Sequence, residues 1–194
     1  MKYVKMLGLA AVAAMALMAF AGSASATVLK DGSGNTLPAG TEINSTLKTG
    51  TSALLKAGFA NITCTESTVA GKTANAGGAS ETVKGGITTL AFPNASCNAT
   101  VHVLSNGELE IHSAGGSNGT LTGKGSEVTV AIGSTSCTYG TGTGTTLGTL
   151  KGGSPAVMEV SAKLPKLAGG FLCASPAEWT ATYTVTTPST LTVG

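Results

Sequence analysis

Residues 101–112 read VHVLSNGELEIH, two runs in which apolar and polar residues alternate around Asn106-Gly107. Strict alternation is typical of a strand that buries one face. Asn-Gly between two such runs is a strong hairpin signal, because a two-residue turn requires positive φ angles that these residues tolerate. The stretch therefore predicts a β-hairpin whose core face carries two cross-strand pairs, Leu104 with Leu109 and His102 with Ile111.

The same pattern recurs along the rest of the chain. Residues 61–69 and 179–186 alternate β-branched or aromatic residues with others, and turn-forming residues separate about ten to twelve such segments. No segment after residue 26 has the 3.6-residue apolar period of a helix. We therefore predict an all-β fold, an antiparallel β-sandwich of the jelly-roll or immunoglobulin-like kind, with a barrel-like closure as the variant.

The first 26 residues have the order of a secretory signal peptide. Lys2 and Lys5 precede an apolar run over residues 6–20, and the following small residues end in Ala-Ser-Ala at 24–26. The run is shorter than the ~20 residues that a membrane-spanning helix needs, so we predict cleavage after Ala26. No later stretch is apolar enough to span a bilayer, and the mature protein is predicted to be secreted or exposed at the cell surface.

Cleavage leaves residues 27–194, enough for one domain with a hydrophobic core. Turn signals over residues 27–40 predict a loose N-terminal segment, followed by a single β-sandwich domain over residues 41–194. The full chain has 11 basic residues, all Lys, and 9 acidic ones, so that loss of Lys2 and Lys5 makes the mature chain neutral. A neutral chain without Arg is a poor candidate for binding nucleic acid.

The four cysteines are Cys64, Cys97, Cys137 and Cys173. Export to an oxidising compartment makes two disulfides the expected outcome. Of the three possible pairings we favour Cys64–Cys97 and Cys137–Cys173, because each half of the chain shows a strand with a Cys, a turn-rich insert and a second Cys before another strand. A metal site is disfavoured by the absence of C-x-x-C spacing and by the presence of only two His. We therefore predict neither a metal nor a cofactor.

The titratable residues form no catalytic pattern. The two histidines, His102 and His112, fall on opposite faces of the predicted hairpin. Glu108 and Glu110 share one strand face, as a glycosidase carboxylate pair would, but carboxylates on an exposed strand usually serve solubility. We predict a protein without enzymatic activity and keep a hydrolase with an unrecognised site as the enzymatic alternative.

Trp179 and Tyr183 stand four residues apart in one predicted strand and therefore share a face. An exposed aromatic pair stacks on sugars or apolar molecules, whereas a buried pair belongs to the core. In a chain with one Trp and three Tyr, the core is the favoured interpretation. Ligand binding at Trp179 and Tyr183 is kept as the alternative.

Five segments carry a resemblance to a known group of proteins: PAGTxI at 38–43, LKxGTSAxL at 47–55, NITCTxS at 61–67, GxLEIH at 107–112 and YTVTTP at 183–188. Together they resemble secreted, cysteine-bearing, β-rich bacterial proteins of unknown function, found largely in actinobacteria. The likeness spans most of residues 38–190 and implies a fold but no activity. Members often carry a further cysteine pair near the mature N-terminus, which this chain lacks, and its first segment is therefore expected to be less tied down.

We expect a secreted or cell-surface protein with a structural or interaction role. This role includes self-assembly, in which residues 27–40 add as a strand to the sheet edge of a neighbour. The alternative is an extracellular module that binds a carbohydrate or an apolar small molecule. The sequence identifies no partner, ligand or assembly state.

Overall fold

The computed structural model describes residues 26–194, so the predicted signal peptide lies outside the described residues except for Ala26. This part of the chain contains seventeen strands and one turn of 3-10 helix, Asn94–Ser96. The strands are β1 (Thr27–Lys30), β2 (Glu42–Leu47), β3 (Ala53–Gly58), β4 (Asn61–Cys64), β5 (Thr68–Thr73), β6 (Gly77–Gly78), β7 (Val83–Ala91), β8 (Thr100–Ser105), β9 (Glu108–Gly115), β10 (Asn118–Lys124), β11 (Glu127–Ile132), β12 (Thr135–Gly140), β13 (Thr145–Lys151), β14 (Val157–Leu164), β15 (Lys166–Gly169), β16 (Cys173–Thr187) and β17 (Thr192–Val193).

Eight antiparallel strands close into a barrel. They follow the order β14-β13-β10-β9-β7-β5-β2-β16, and β16 pairs with β14 to complete the ring. The all-β class is thus confirmed. The predicted sandwich is not confirmed, because the main sheet closes on itself instead of packing face to face with a second sheet.

β16 is 15 residues long and belongs to more than the barrel. One side pairs with β14 over Ala177–Thr184. The other side pairs first with β3, from Cys173 to Thr180, and then with β2, from Tyr183 to Thr187. The first part of β16, up to Thr180, therefore pairs with β3, and β3 pairs with β4. These two strands form an extension of the sheet beyond the barrel.

A four-stranded sheet, in the order β15-β12-β11-β8, packs over this extension. Its inner face contributes Val130, Cys137 and Tyr139, which are fully buried. The Tyr139 hydroxyl donates a hydrogen bond of 3.0 Å to the carbonyl oxygen of Ala57 in β3. A buried hydroxyl needs such a partner, so this bond fixes how the second layer sits on the first.

Two disulfides are present, Cys64–Cys97 and Cys137–Cys173, and they are the two pairs favoured above. The first joins β4 to the segment before β8. The second joins β12 to the start of β16, and so connects the four-stranded sheet to the longest strand of the barrel.

The predicted hairpin at 101–112 is wrong, although both of its strands exist. β8 pairs with β11 in the four-stranded sheet, whereas β9 pairs with β7 and β10 in the barrel. Asn106 and Gly107 therefore link two layers. The Asn106 carbonyl accepts a 2.6 Å hydrogen bond from the Ser126 hydroxyl, and the Gly107 carbonyl accepts one of 3.0 Å from the Ile87 N–H.

The cross-strand pairs expected in that hairpin do not form. Leu104 is 60% exposed and His102 also faces solvent. Leu109 and Ile111, in contrast, pack against the barrel core. The local alternation predicted both strands correctly. Which face of each strand is buried depends on long-range pairing, which the alternation does not indicate.

Residues 27–40 are not the loose segment that the sequence predicts. β1 pairs with both β6 and β17 in a small three-stranded sheet. Leu29 is 1% exposed, and Leu37 is buried as well. These apolar side chains pack with Leu191 and Val193 in the same core. Hydrophobic burial therefore orders a segment whose turn-forming residues had predicted a loose N-terminal segment.

Candidate functional site

Trp179 and Tyr183 share a face of β16, as their spacing predicts, and that face points into the molecule. Tyr183 is 1% exposed, and its hydroxyl lies 3.0 Å from the Ser67 hydroxyl. Burial raises the pKa of Tyr183 to about 12, with the Ser67 hydrogen bond acting in the opposite direction. Trp179 is half-buried against the core. The interior contact of this pair, and not the outer surface, is therefore the place to look for a ligand.

Three apolar cavities lie within the described part of the chain. The first, of about 60 Å³, lies between the four-stranded sheet and the β3–β4 extension. The second, also of about 60 Å³, lies at the barrel end that β1 covers. The third is about 50 Å³ in volume. It shares Leu90 and Trp179 with the first, and Leu109 and Leu121 with the second, so it lies between them.

The cavity walls are mainly aliphatic and aromatic side chains, and the second cavity is also lined by two lysines, Lys72 and Lys84. Among residues 26–194, no His, Asp or Glu lines any of the three. Two of the hydroxyl groups at the wall are already engaged: the Ser45 hydroxyl donates to the Val69 carbonyl at 3.0 Å, and the Thr141 hydroxyl accepts from the Ser126 N–H at 3.0 Å. The lining can therefore recognise a hydrocarbon but offers little to a sugar.

A fourth, open cleft on the surface is more polar and has a volume of about 360 Å³. Two of its side chains, Asn94 and Asn98, are committed to the fold. Asn94 accepts a hydrogen bond of 2.9 Å from the Val101 N–H, and Asn98 both accepts from the Thr63 N–H and donates to the Asn61 carbonyl. The cleft also has no aromatic residue in its lining, so it lacks the platform on which a sugar ring would stack.

The titratable residues singled out in the sequence do not converge. His102 lies on β8 in the four-stranded sheet, and His112 lies on β9 in the barrel. Glu108 is exposed, whereas Glu110 is held by Lys124 at 2.7 Å and Lys84 at 3.6 Å. The hydrogen bond from Lys124, aided by the charges of both lysines, lowers the pKa of Glu110. Among residues 26–194 no group of three or more His, Cys, Asp or Glu could hold a metal ion.

One feature was missed in the sequence, an exposed apolar turn at residues 170–173. Phe171 is 93% exposed and Leu172 is 48% exposed, while Leu167, in the preceding strand, is 44% exposed. The sequence signal for this feature was the pair of apolar residues directly after Gly169-Gly170. The central positions of a turn are usually polar, Gly or Pro, so an apolar pair there is unusual.

No family model matches the chain, and no curated protein or solved structure is significantly similar to it. None of the helical structure within residues 26–194 is long and apolar enough to cross a membrane.

Proposed function

We propose that this protein is a non-enzymatic, extracytoplasmic binding protein that holds an apolar small molecule inside its barrel. The observation that carries the proposal is the set of three adjoining apolar cavities, which extends from the four-stranded sheet to the barrel end under β1. Eight-stranded barrels are at the size where the interior is either filled by side chains or holds one small ligand.

The size and chemistry of the cavities favour a hydrocarbon. Protein interiors contain few voids larger than a water molecule, and a void needs only roughly 10–15 Å³ to hold one water. Each cavity exceeds that several times over, yet apolar cavities of this kind stay dry and take up apolar molecules. Since neighbouring cavities share walls, the ligand that fits best is an elongated alkyl chain.

The location outside the cytoplasm is supported by the two disulfides, which form and persist in oxidising compartments. The predicted signal peptide at residues 1–26 points the same way. The location outside the cytoplasm is therefore part of the proposal, together with the ligand.

The single Trp provides the test, because Trp179 lines the first and third cavities. The mature protein, residues 27–194, is titrated with straight-chain primary alcohols of increasing length, and the Trp179 emission is followed. Burial of each additional methylene is worth about 0.8 kcal/mol. Affinity should therefore rise by roughly fourfold per methylene until the cavities are filled, and then level off.

A matched pair of variants locates the binding. Val69 lines the second and third cavities, whereas Val157 is half-buried in β14 and lines none of the three. Val69→Leu should shorten the chain length at which affinity levels off, and Val157→Leu should leave it unchanged. Equal effects of the two variants, or an emission spectrum that no alcohol alters, would remove the proposal.

A structural or interaction role at the cell surface is the second candidate, and one observation favours it. The Phe171–Leu172 turn projects two adjacent apolar side chains into solvent, and clustering of exposed apolar side chains is a feature of contact surfaces. Self-assembly through residues 27–40 has less support, because β1 would first have to give up its pairing with β6 and β17.

A further inference from the structure

The apolar turn is a β-turn with a fixed geometry. The Cys173 N–H donates to the Gly170 carbonyl at 3.2 Å, which places Phe171 and Leu172 at the two central positions. Cys173 is itself buried and bonded to Cys137 of β12. The turn is thus anchored at its base, and the two side chains are presented by the fold.

Apolar side chains at this position contradict the usual chemistry of turns. Gly, Pro, Asn, Asp and Ser dominate such positions because they satisfy the backbone and tolerate solvent. Places where a sequence breaks a local rule without a packing gain are commonly functional. Phe171, 93% exposed, has no packing gain within residues 26–194, and this exposure favours a contact with a surface beyond the described residues.

The dimensions of the turn favour a lipid surface over a protein partner. A stable protein interface buries about 800 Å² on each partner, whereas a buried aromatic side chain supplies only about 150–250 Å². Phe171, Leu172 and Leu167 together fall short of such an interface. A lipid surface requires no shape complementarity and accepts a few protruding apolar side chains.

The charges beside the turn favour anionic lipid. Between residues 163 and 178 the charged residues are Lys163, Lys166 and Glu178, and Glu178 is already paired with Lys56 at 3.1 Å. The Lys166 ammonium lies 3.4 Å from the Gly170 carbonyl, directly at the base of the turn. Each Lys near an anionic membrane surface adds attraction that falls off within a Debye length. One acidic side chain, Glu127, lies near Leu167, since both approach the same point over Gly140.

We propose that the Phe171–Leu172 turn inserts into an anionic lipid surface and holds the protein there reversibly. The inference rests on the interaction role given above as the second candidate, and it does not depend on the ligand inside the barrel.

The test is sedimentation of mature protein, residues 27–194, with vesicles of phosphatidylglycerol and phosphatidylcholine in equal amounts. Wild type should partition onto these vesicles and much less onto pure phosphatidylcholine. The double variant Phe171→Ser with Leu172→Ser should partition at least about tenfold more weakly, because both apolar anchors are lost. Lys166→Gln should weaken partitioning by about fivefold at low salt, with the difference shrinking as salt rises.

Leu104→Ser is the matched control. Leu104 is also exposed and apolar, but it lies on β8, at the opposite edge of the four-stranded sheet from β15. This variant should bind vesicles like wild type. Equal losses from Leu104→Ser and from the turn variant, or a wild type that stays in solution with both vesicle types, would overturn the inference.

The alcohol titration on the same protein samples separates this inference from the interior ligand. A turn variant that loses vesicles but keeps the Trp179 response supports insertion by the turn alone. Absent vesicle binding with an intact Trp179 response removes the lipid inference and leaves the ligand proposal standing.

Discussion

The Tyr183 hydroxyl lies inside the barrel, where its hydrogen bond with the Ser67 hydroxyl contributes to the stability of the fold. Both residues are buried, and no buried side-chain N or O atom within residues 26–194 lacks a hydrogen-bond partner. Within residues 26–194 the Ser67 hydroxyl has no second hydrogen-bond partner that could replace the Tyr183 hydroxyl. Loss of the tyrosine hydroxyl therefore leaves the serine hydroxyl buried and unpaired, which costs about 1–3 kcal/mol.

Tyr183→Phe should destabilise the protein at neutral pH by about 1–2 kcal/mol and stabilise it relative to wild type near pH 12. The folded-state pKa is raised from 10.0 to about 12, so the unfolded chain ionises first. Stability due to the neutral hydroxyl is complete below pH 10 and is lost as pH rises toward 12, by about 3 kcal/mol in all. Phenylalanine has no proton to lose, so urea denaturation across this range should show the two stability curves crossing.

Ser67→Ala is the control for that experiment. It removes the same hydrogen bond but keeps the tyrosine proton, so it should be less stable than wild type at neutral pH and still lose stability steeply above pH 10. If Tyr183→Phe shows the same alkaline slope as wild type, Tyr183 is not the group responsible.

At the scale of single elements, β1 shows how packing overrides composition. Asp31-Gly32 and Pro38 are true turn signals, and the chain does turn at Asp31, whose carboxylate accepts from the N–H groups of Ser33 and Asn35. However, Leu29 before that turn and Leu37 after it are both buried. Burial of these two apolar side chains anchors an otherwise polar segment to the end of the barrel.

Leu29→Ala should therefore destabilise the protein by about 2–5 kcal/mol, as truncation of a buried leucine normally does. Urea denaturation of the mature protein measures it. Leu104→Ala, at an exposed position, should change stability by less than about 0.5 kcal/mol. A similarly small effect at Leu29 would mean that β1 is loose after all.

Most strands could be predicted from the sequence, whereas their partners could not. The alternation in β8 and β9 is a local property, and both strands lie where residues 101–112 predict them, whereas the predicted strand at 179–186 covers only the second half of β16. Pairing is a long-range property: Leu47 of β2 lies opposite Tyr183 of β16, and this contact is one of those that complete the ring. Nothing in the sequence around Leu47 or Tyr183 indicates that the two residues are partners, so closure into a barrel could not be predicted from the local pattern.

The same distinction applies to the candidate sites. The shared face of Trp179 and Tyr183 followed from a period of two residues, but its direction did not. That direction depends on the neighbours of β16, which are β14 on one side and, on the other, β3 beside Trp179 and β2 beside Tyr183. The exposed turn at Phe171 was visible as an apolar pair after two glycines, although only the fold shows that nothing within the described chain covers it.

At the scale of the whole molecule, the protein combines a closed barrel that has apolar cavities with an apolar turn on the outside. The interior cavities adjoin one another between Trp179 and the leucines near β1. The proposed ligand binding there and the proposed contact with a surface through the turn involve different residues, so variants can test each separately.

The most direct test of the ligand proposal is isotope-filtered NMR on labelled mature protein with an unlabelled long-chain alcohol. We predict intermolecular nuclear Overhauser effects from the alkyl protons to the methyl groups of Leu109, Leu121 and Met158, which line the barrel cavities. The exposed methyl groups of Leu104 and Leu167 serve as internal controls. Contacts to these exposed leucines alone, with none to the interior methyl groups, would contradict the account.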